Sequence, residues 1–193
     1  MEKTLPKLIL VKHSQPQIDP LMPAREWHLS AEGRLRCQPL ADKLAAYEPA
    51  VIVASTEPKA TETAQIVAER LDKPFEVAGG LHEHNRSNVP FYSPQVFDAA
   101  IANFFQKPGE LVFGRETALQ AQERFSKAVE NVFEKYTGEN VVIVAHGTVI
   151  TLFVAAHAKI DLFAFWKRLG LPSFVVMSLP DLELVEVDTL QDN

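Results

Sequence analysis

VVIVAHGTVITLF, residues 141–153, runs five apolar residues into a histidine and a glycine, and then into a second apolar stretch. The first half is short and rich in β-branched residues, the pattern of an interior strand. The second half reads as a helix that starts at Gly147. Its first backbone N–H groups have no partner within the helix and point off the strand's carboxyl end, which makes that end an anion site. Strands that feed helices in this way build an α/β sheet, and ligands bind at the carboxyl edge of such a sheet.

Working outward, residues 7–12 (KLILVK) and 50–54 (AVIVA) repeat the strand half. Between them Ser30 is placed to cap a helix whose Cys37, Leu40, Ala41 and Leu44 fall on one face, with a kink expected at Pro39. Residues 59–71 put Ala60, Ala64, Val67 and Leu71 on one stripe. Residues 116–136 do the same with Phe125, Val129, Val132, Phe133 and Tyr136. The alternation predicts right-handed crossovers and a mostly parallel sheet covered on both faces. FVVMSL (174–179) and LELVEV (182–187) alternate as a terminal hairpin on the sheet edge. Residues 81–115 differ in texture, holding Pro90, Pro94 and Pro108, one mixed helix (QVFDAAIANFF) and no apolar strand. They are expected to form a small cap over the carboxyl edge, within a single domain of residues 1–193.

Composition narrows the function. With 193 residues, 47% of them apolar and a formal charge of −6, the chain is neither disordered nor a general binder of nucleic acid or acidic membranes. One cysteine, Cys37, excludes an internal disulfide and a zinc site built on several thiolates, and favours a reducing, cytoplasmic compartment. The apolar run near the N-terminus stops too soon at Lys12 for a signal peptide, and no segment reaches membrane-spanning length.

Three strand ends therefore meet at one edge. They carry Lys12 and His13, then Ser55 and Lys59, then His146 and Gly147: two imidazoles and two ammonium groups, with no carboxylate for a metal. Lys59 at a helix start opposes the helix dipole and calls for a compensating anion. The set fits a phosphate, free or carried by a small molecule. His82 and His84 share a face and raise a zinc alternative, which is set aside because His13, Glu83 and His146 have a consistent metal-free use. No metal or other cofactor is implied. His28 and His157 read as structural or surface residues.

These residues resemble the histidine phosphatase superfamily, whose members include the cofactor-dependent phosphoglycerate mutases. LVKHSQ (10–15) is similar to its first histidine motif, LSAEG (29–33) to its LSxxG, and ASTEPKATETAQIVAERL (54–71) to its serine-basic-threonine pattern. LHE (81–83) stands where the family places its acid, GRET (114–117) resembles its GES turn, and VVIVAHGTVI matches its second histidine motif. The resemblance implies a phosphoglycerate mutase-like three-layer α/β/α sandwich with an antiparallel edge. It implies His13 as nucleophile, Glu83 as proton donor, and His146 as second histidine of the phosphate pocket. Lys12, Ser14, Gln15, Lys59 and Gly147 are then expected around the phosphate, and Asn85 and Arg86 beside the leaving group. Lysine stands at the places of two family arginines, and Ser14 at that of a glycine, where it would crowd the phosphate.

The expected activity is metal-independent hydrolysis of a small phosphomonoester through a phosphohistidine. A carboxyl group that donates the proton needs a raised pKa, which burial of Glu83 under the cap would supply. Two alternatives remain at this point. One is a weak or inactive phosphate-binding module, motivated by Lys12, Lys59 and Ser14. The other is a mutase, disfavoured by the short cap and by Glu-His-Asn-Arg-Ser where mutases carry Glu-Arg-His-Tyr-Gly. Phe91, Tyr92 and Phe97 are either core or a specificity wall. Oligomeric state has no signature.

Overall fold

The computed structural model describes residues 5–190, so the first four residues of the N-terminal stretch read above lie outside it. Six strands form one sheet: β1 (Lys7–Lys12), β2 (Val51–Ala54), β3 (Phe75–Val77), β4 (Val141–Ala145), β5 (Ser173–Ser178) and β6 (Leu184–Asp188). Their order is β3-β2-β4-β1-β5-β6, with β3, β2, β4 and β1 parallel and the β5–β6 hairpin added antiparallel at one side. Six α-helices flank it: α1 (Ala31–Leu44), α2 (Pro58–Leu71), α3 (Pro94–Gln106), α4 (Ala118–Lys135), α5 (Gly147–His157) and α6 (Leu162–Arg168).

The strands are apolar on both faces because both faces are covered. Ile9, Val11, Ile52, Ala54, Val142 and Val144 pack with α1 and α2. Their neighbours Leu8, Leu10, Val51, Val53, Val141 and Ile143 point the other way, onto a core with Phe125 and Val129 of α4 and Ile150 of α5. The strand period of two thus divides each strand between two cores. Among the described residues no helix is long and apolar enough to cross a membrane.

Helix ends are set by local chemistry. Ser30 Oγ accepts from the Gly33 N–H at the start of α1, Pro58 opens α2, and Thr117 with Gln120 forms a capping box on α4. Gly33 also lies against the loop that follows His13. A Cβ built there would stand 2.0 Å from the Gln15 carbonyl oxygen, a backbone atom with no freedom to rotate away. Gly33→Ala should therefore destabilise the fold by about 3 kcal/mol, read as a shift in the urea midpoint. A loss under about 1 kcal/mol would mean that this close approach is relaxed in solution.

Register brings the three loops together. Lys12 pairs with Ala145 and Ala54 with Val144, so the ends of β1, β2 and β4 are level at one edge.

Candidate active site

The His13 N–H continues the β1–β4 ladder to Ala145 O at 3.0 Å, which leaves the ring as the first group past the sheet edge. Its Nδ1 lies 2.7 Å from Ser14 O. A carbonyl accepts, so Nδ1 carries the hydrogen and Nε2 keeps its lone pair. Burial, then the nearby His146 and Lys59, hold the imidazole well below its ordinary pKa, and His13 is neutral at pH 7. The His146 ring lies at 5.2 Å, edge-on. Its Nε2 is 2.8 Å from Ser55 Oγ, while its Nδ1 is buried without a hydrogen-bond partner. Burial and Lys59 keep this ring neutral as well.

Glu83 departs from expectation. Its Oε2 accepts from the Thr148 N–H at 3.2 Å, and its Oε1 from Val149 at 3.3 Å and His84 at 2.9 Å. The carboxylate thus sits on the amino end of α5, part of the anion site the sequence assigns to phosphate. Burial pushes its pKa up, but the Arg86 guanidinium, His146 and the His84 N–H outweigh it and hold the group below the usual carboxylate value. The raised pKa expected from burial is therefore absent in the free protein. Arg124 of α4 anchors this segment, donating to the carbonyls of Gly80 (2.7 Å), His82 (2.9 Å) and Glu83 (3.3 Å) and pairing with Glu116 at 2.6 Å. Glu116, from the GRET turn, also accepts the Asn85 N–H at 2.9 Å.

Each lysine is held by protein acceptors. Lys12 donates to Leu169 O at 2.8 Å, and burial brings its pKa down to about 8 despite the attraction of Glu83. Lys59 donates to Ala24 O at 2.7 Å and to Glu57 at 2.5 Å; burial lowers its pKa, and Glu57 offsets part of that. Glu57 is the anion that Lys59 calls for, two residues earlier, and the reading that no carboxylate stands at these strand ends is corrected. Its other oxygen accepts the Glu83 N–H at 2.9 Å and lies 3.8 Å from His146 Nε2. The missed signal was Lys59 itself, whose unfavourable place on the helix dipole points to a nearby acid.

Ser14 does not crowd the pocket. Its hydroxyl donates to Gly33 O at 2.7 Å and its N–H to Thr63 Oγ1 at 3.0 Å, so its polar groups are used in joining β1 to α1 and α2. This removes the expected phosphate contact from Ser14, because a fully buried side chain bonded to another element has nothing left to offer a ligand. Gly147 allows Lys12 to pass, since a Cβ there would lie 3.2 Å from Lys12 Cε. His84 turns from His82 into an aromatic cluster, 4.2 Å from Phe104 and 4.8 Å from Phe113, which takes it out of the zinc pair the sequence raised. Gln15, Glu57, Glu83, Asn85 and Arg86 line a cavity of about 880 Å³, walled by residues that include Phe91, Tyr92 and Phe97; His13 and His146 are not among its lining residues. The Arg86 guanidinium stacks on Phe97 at 4.6 Å, and its Nη1 is buried without a partner.

Against known proteins, the pattern of the histidine phosphatase superfamily (branch 1) matches residues 8–181. The chain belongs to the histidine phosphatase superfamily. No curated protein matches it. Solved structures of similar fold include a phosphoserine phosphatase from Entamoeba histolytica, with a TM-score of 0.79 and 16% identity over 97% of this chain and 98% of that one. A mycobacterial glucosyl-3-phosphoglycerate phosphatase aligns with a TM-score of 0.70 and 21% identity over 89% of each chain. A putative α-ribazole-5′-P phosphatase from Escherichia coli gives 0.71 and 18% over 96% and 97%. At these identities the likeness establishes the phosphoglycerate mutase-like fold. Within the histidine phosphatase family pattern, the ion pair of Lys59 with Glu57 and the Ser14 hydroxyl bond to Gly33 are what this chain's own residues bring to the pocket.

Proposed function

We propose that the protein is a phosphomonoesterase of this superfamily that works through a phosphohistidine on His13, in a single domain with residues 81–115 as its cap. The observation that carries this reading is the His13 ring, neutral, with Nδ1 committed to Ser14 O and a free Nε2 beside a second neutral histidine. Nε2 attacks phosphorus as the bond to the alcohol oxygen breaks; water then attacks the phosphohistidine and releases phosphate. Lys12, Lys59, the Gly147 N–H, the His146 Nδ1 and Arg86 hold the phosphoryl oxygens as charge spreads over them. Arg86 supplies the planar fork that the two lysines lack.

Glu83 is the acid and base of the reaction. A phosphate entering beside it adds like charge and raises its pKa, so the carboxylate takes up a proton as substrate binds. It then protonates the leaving oxygen and, deprotonated, activates the water. The structural neighbours are themselves named as phosphatases, which supports this reading.

The test is incubation of the metal-free protein with an aryl phosphate, followed by rapid quench. Turnover and an acid-labile, base-stable phosphoryl group on His13 are the expected results. A second reading, a module that binds phosphate without turnover, is motivated by the capture of Lys12 by Leu169 O and of Lys59 by Glu57 and Ala24 O. Tight phosphate binding with neither turnover nor label would favour it.

Lys12 also sets a pH dependence. Its ammonium is charged below about 8 and neutral above, so phosphate binding weakens as pH rises through that value. The profile of kcat/KM should fall roughly tenfold per pH unit above the limb. Lys12→Arg should remove the limb, because a guanidinium stays charged. A limb that persists in Lys12→Arg would assign it to another group.

A further inference from the structure

The cavity that Gln15, Glu57, Glu83 and Arg86 line is large and mostly apolar. At about 880 Å³ it is near the upper end of the range for ligand sites, roughly 300–1,000 Å³, and far exceeds what a phosphoryl group fills. Its walls come from two segments, one carrying Ile18, Met22 and Trp27 and the other Val89, Phe91 and Phe97. Trp27 and Phe91 touch, their rings tilted by 54° with centres 6.3 Å apart, and so join the two segments into one apolar wall. Ile18, Met22 and Phe91 are 54%, 42% and 52% exposed, apolar surface left in water until something covers it.

Charges on the lining are already satisfied. Arg25 pairs with Glu26 at 3.4 Å, Asp98 with Lys167 at 2.7 Å and Glu57 with Lys59 at 2.5 Å, while Glu83 is held by backbone N–H groups. Among the described arginine and carboxylate side chains of the lining, only the Arg86 guanidinium has neither ion pair nor hydrogen bond. It lines the cavity beside Glu83, three residues on in the same segment, and its charge lowers the Glu83 pKa, so it belongs to the Glu83 end of the cavity. A carboxylate or ammonium on the leaving group would lose its water with no counter-charge to replace it. An apolar group would cover the exposed walls and displace water at no such penalty.

We infer that the substrate is the phosphomonoester of a bulky, apolar, uncharged alcohol, seated against the apolar wall that Trp27 and Phe91 share, with its phosphate delivered to His13. This rests on the phosphomonoesterase reading above and adds the class of substrate to it.

The test compares ethyl phosphate, 2-(2-naphthyl)ethyl phosphate and O-phosphoserine, all alkyl esters, which limits differences in leaving-group basicity. The naphthylethyl ester should exceed ethyl phosphate by about 100-fold in kcat/KM, the scale of burying two fused rings, and phosphoserine should show no such gain. Phe91→Ala, at a half-exposed position that folding does not depend on, should cut that ratio by about tenfold. A naphthylethyl-to-ethyl ratio within about threefold of one, or a preference for phosphoserine, overturns the inference. Calorimetric binding of the matching naphthylethyl and ethyl phosphonates separates it from the catalytic reading. Preferential binding of the naphthylethyl phosphonate without turnover of any ester retains the apolar class and sinks the phosphatase. Turnover of all three esters alike does the reverse.

Discussion

His13→Ala should abolish turnover of every phosphomonoester, by roughly 10⁴-fold or more in kcat, the scale seen when a covalent nucleophile is lost. The argument rests on atoms that no neighbour replaces. Nε2 of His13 carries the lone pair because Nδ1 is held to Ser14 O at 2.7 Å. The other imidazole, His146, has its Nε2 turned to Ser55 at 2.8 Å and sits at a strand-to-helix junction fixed by β4 and α5. It lies behind the nucleophile at 5.2 Å, too far to take its place without moving the sheet edge. The variant should still fold, since His13 adds no hydrogen bond to a distant element through its ring. The measurement is kcat beside a thermal melt and a phosphohistidine label. Retention of more than about 1% of the parental kcat in a folded His13→Ala protein would move the nucleophile elsewhere.

Glu83→Gln should lower kcat by roughly 10³-fold for an alkyl phosphate, within the range for loss of a general acid. The amide keeps the shape and one acceptor oxygen, enough for the Val149 and His84 N–H groups that Oε1 accepts but not for the Thr148 N–H on Oε2, so a thermal melt beside the kinetics checks that the segment stays docked on α5. What is lost is the proton. An aryl phosphate with a good leaving group needs no proton in the first step, so it should still phosphorylate His13, and the phosphohistidine should accumulate as a burst because no base activates the water. KM should hold or fall, since a negative charge next to the phosphate has been removed. Equal losses for alkyl and aryl esters, without a burst, would assign Glu83 a structural task and leave the acid unidentified.

Much of this site is legible in the chain because short-range rules place it. Apolar runs that end on Lys12, Ala54 and Ala145 must lie inside a parallel sheet, and parallel strands end at one edge, so His13 and His146 meet wherever the helices fall. Ser30 and Gly33 mark the start of α1 by capping and by close approach to Gln15. Two elements escaped this reading. The three-residue strand β3, with Phe75 and Val77 exposed, is too short and too wet to show a period, and α6 has seven residues, less than two full turns.

The sequence by itself determined the alternation of the longer strands and helices, the sheet edge where His13 and His146 meet, and the family, because each follows from patterns a few residues long. Only the tertiary structure decided the state of the groups at that edge. Ser14 faces Thr63 and Gly33 rather than the phosphate, and Glu83 is ionised on the α5 N-terminus, 65 residues away in the chain. Phe91 became a half-exposed wall of the cavity, and Phe97 lines it while packing against the core. The reason is physical: hydrogen bonding, desolvation and Coulomb energy depend on distance and burial in space, and no local pattern in the chain encodes either.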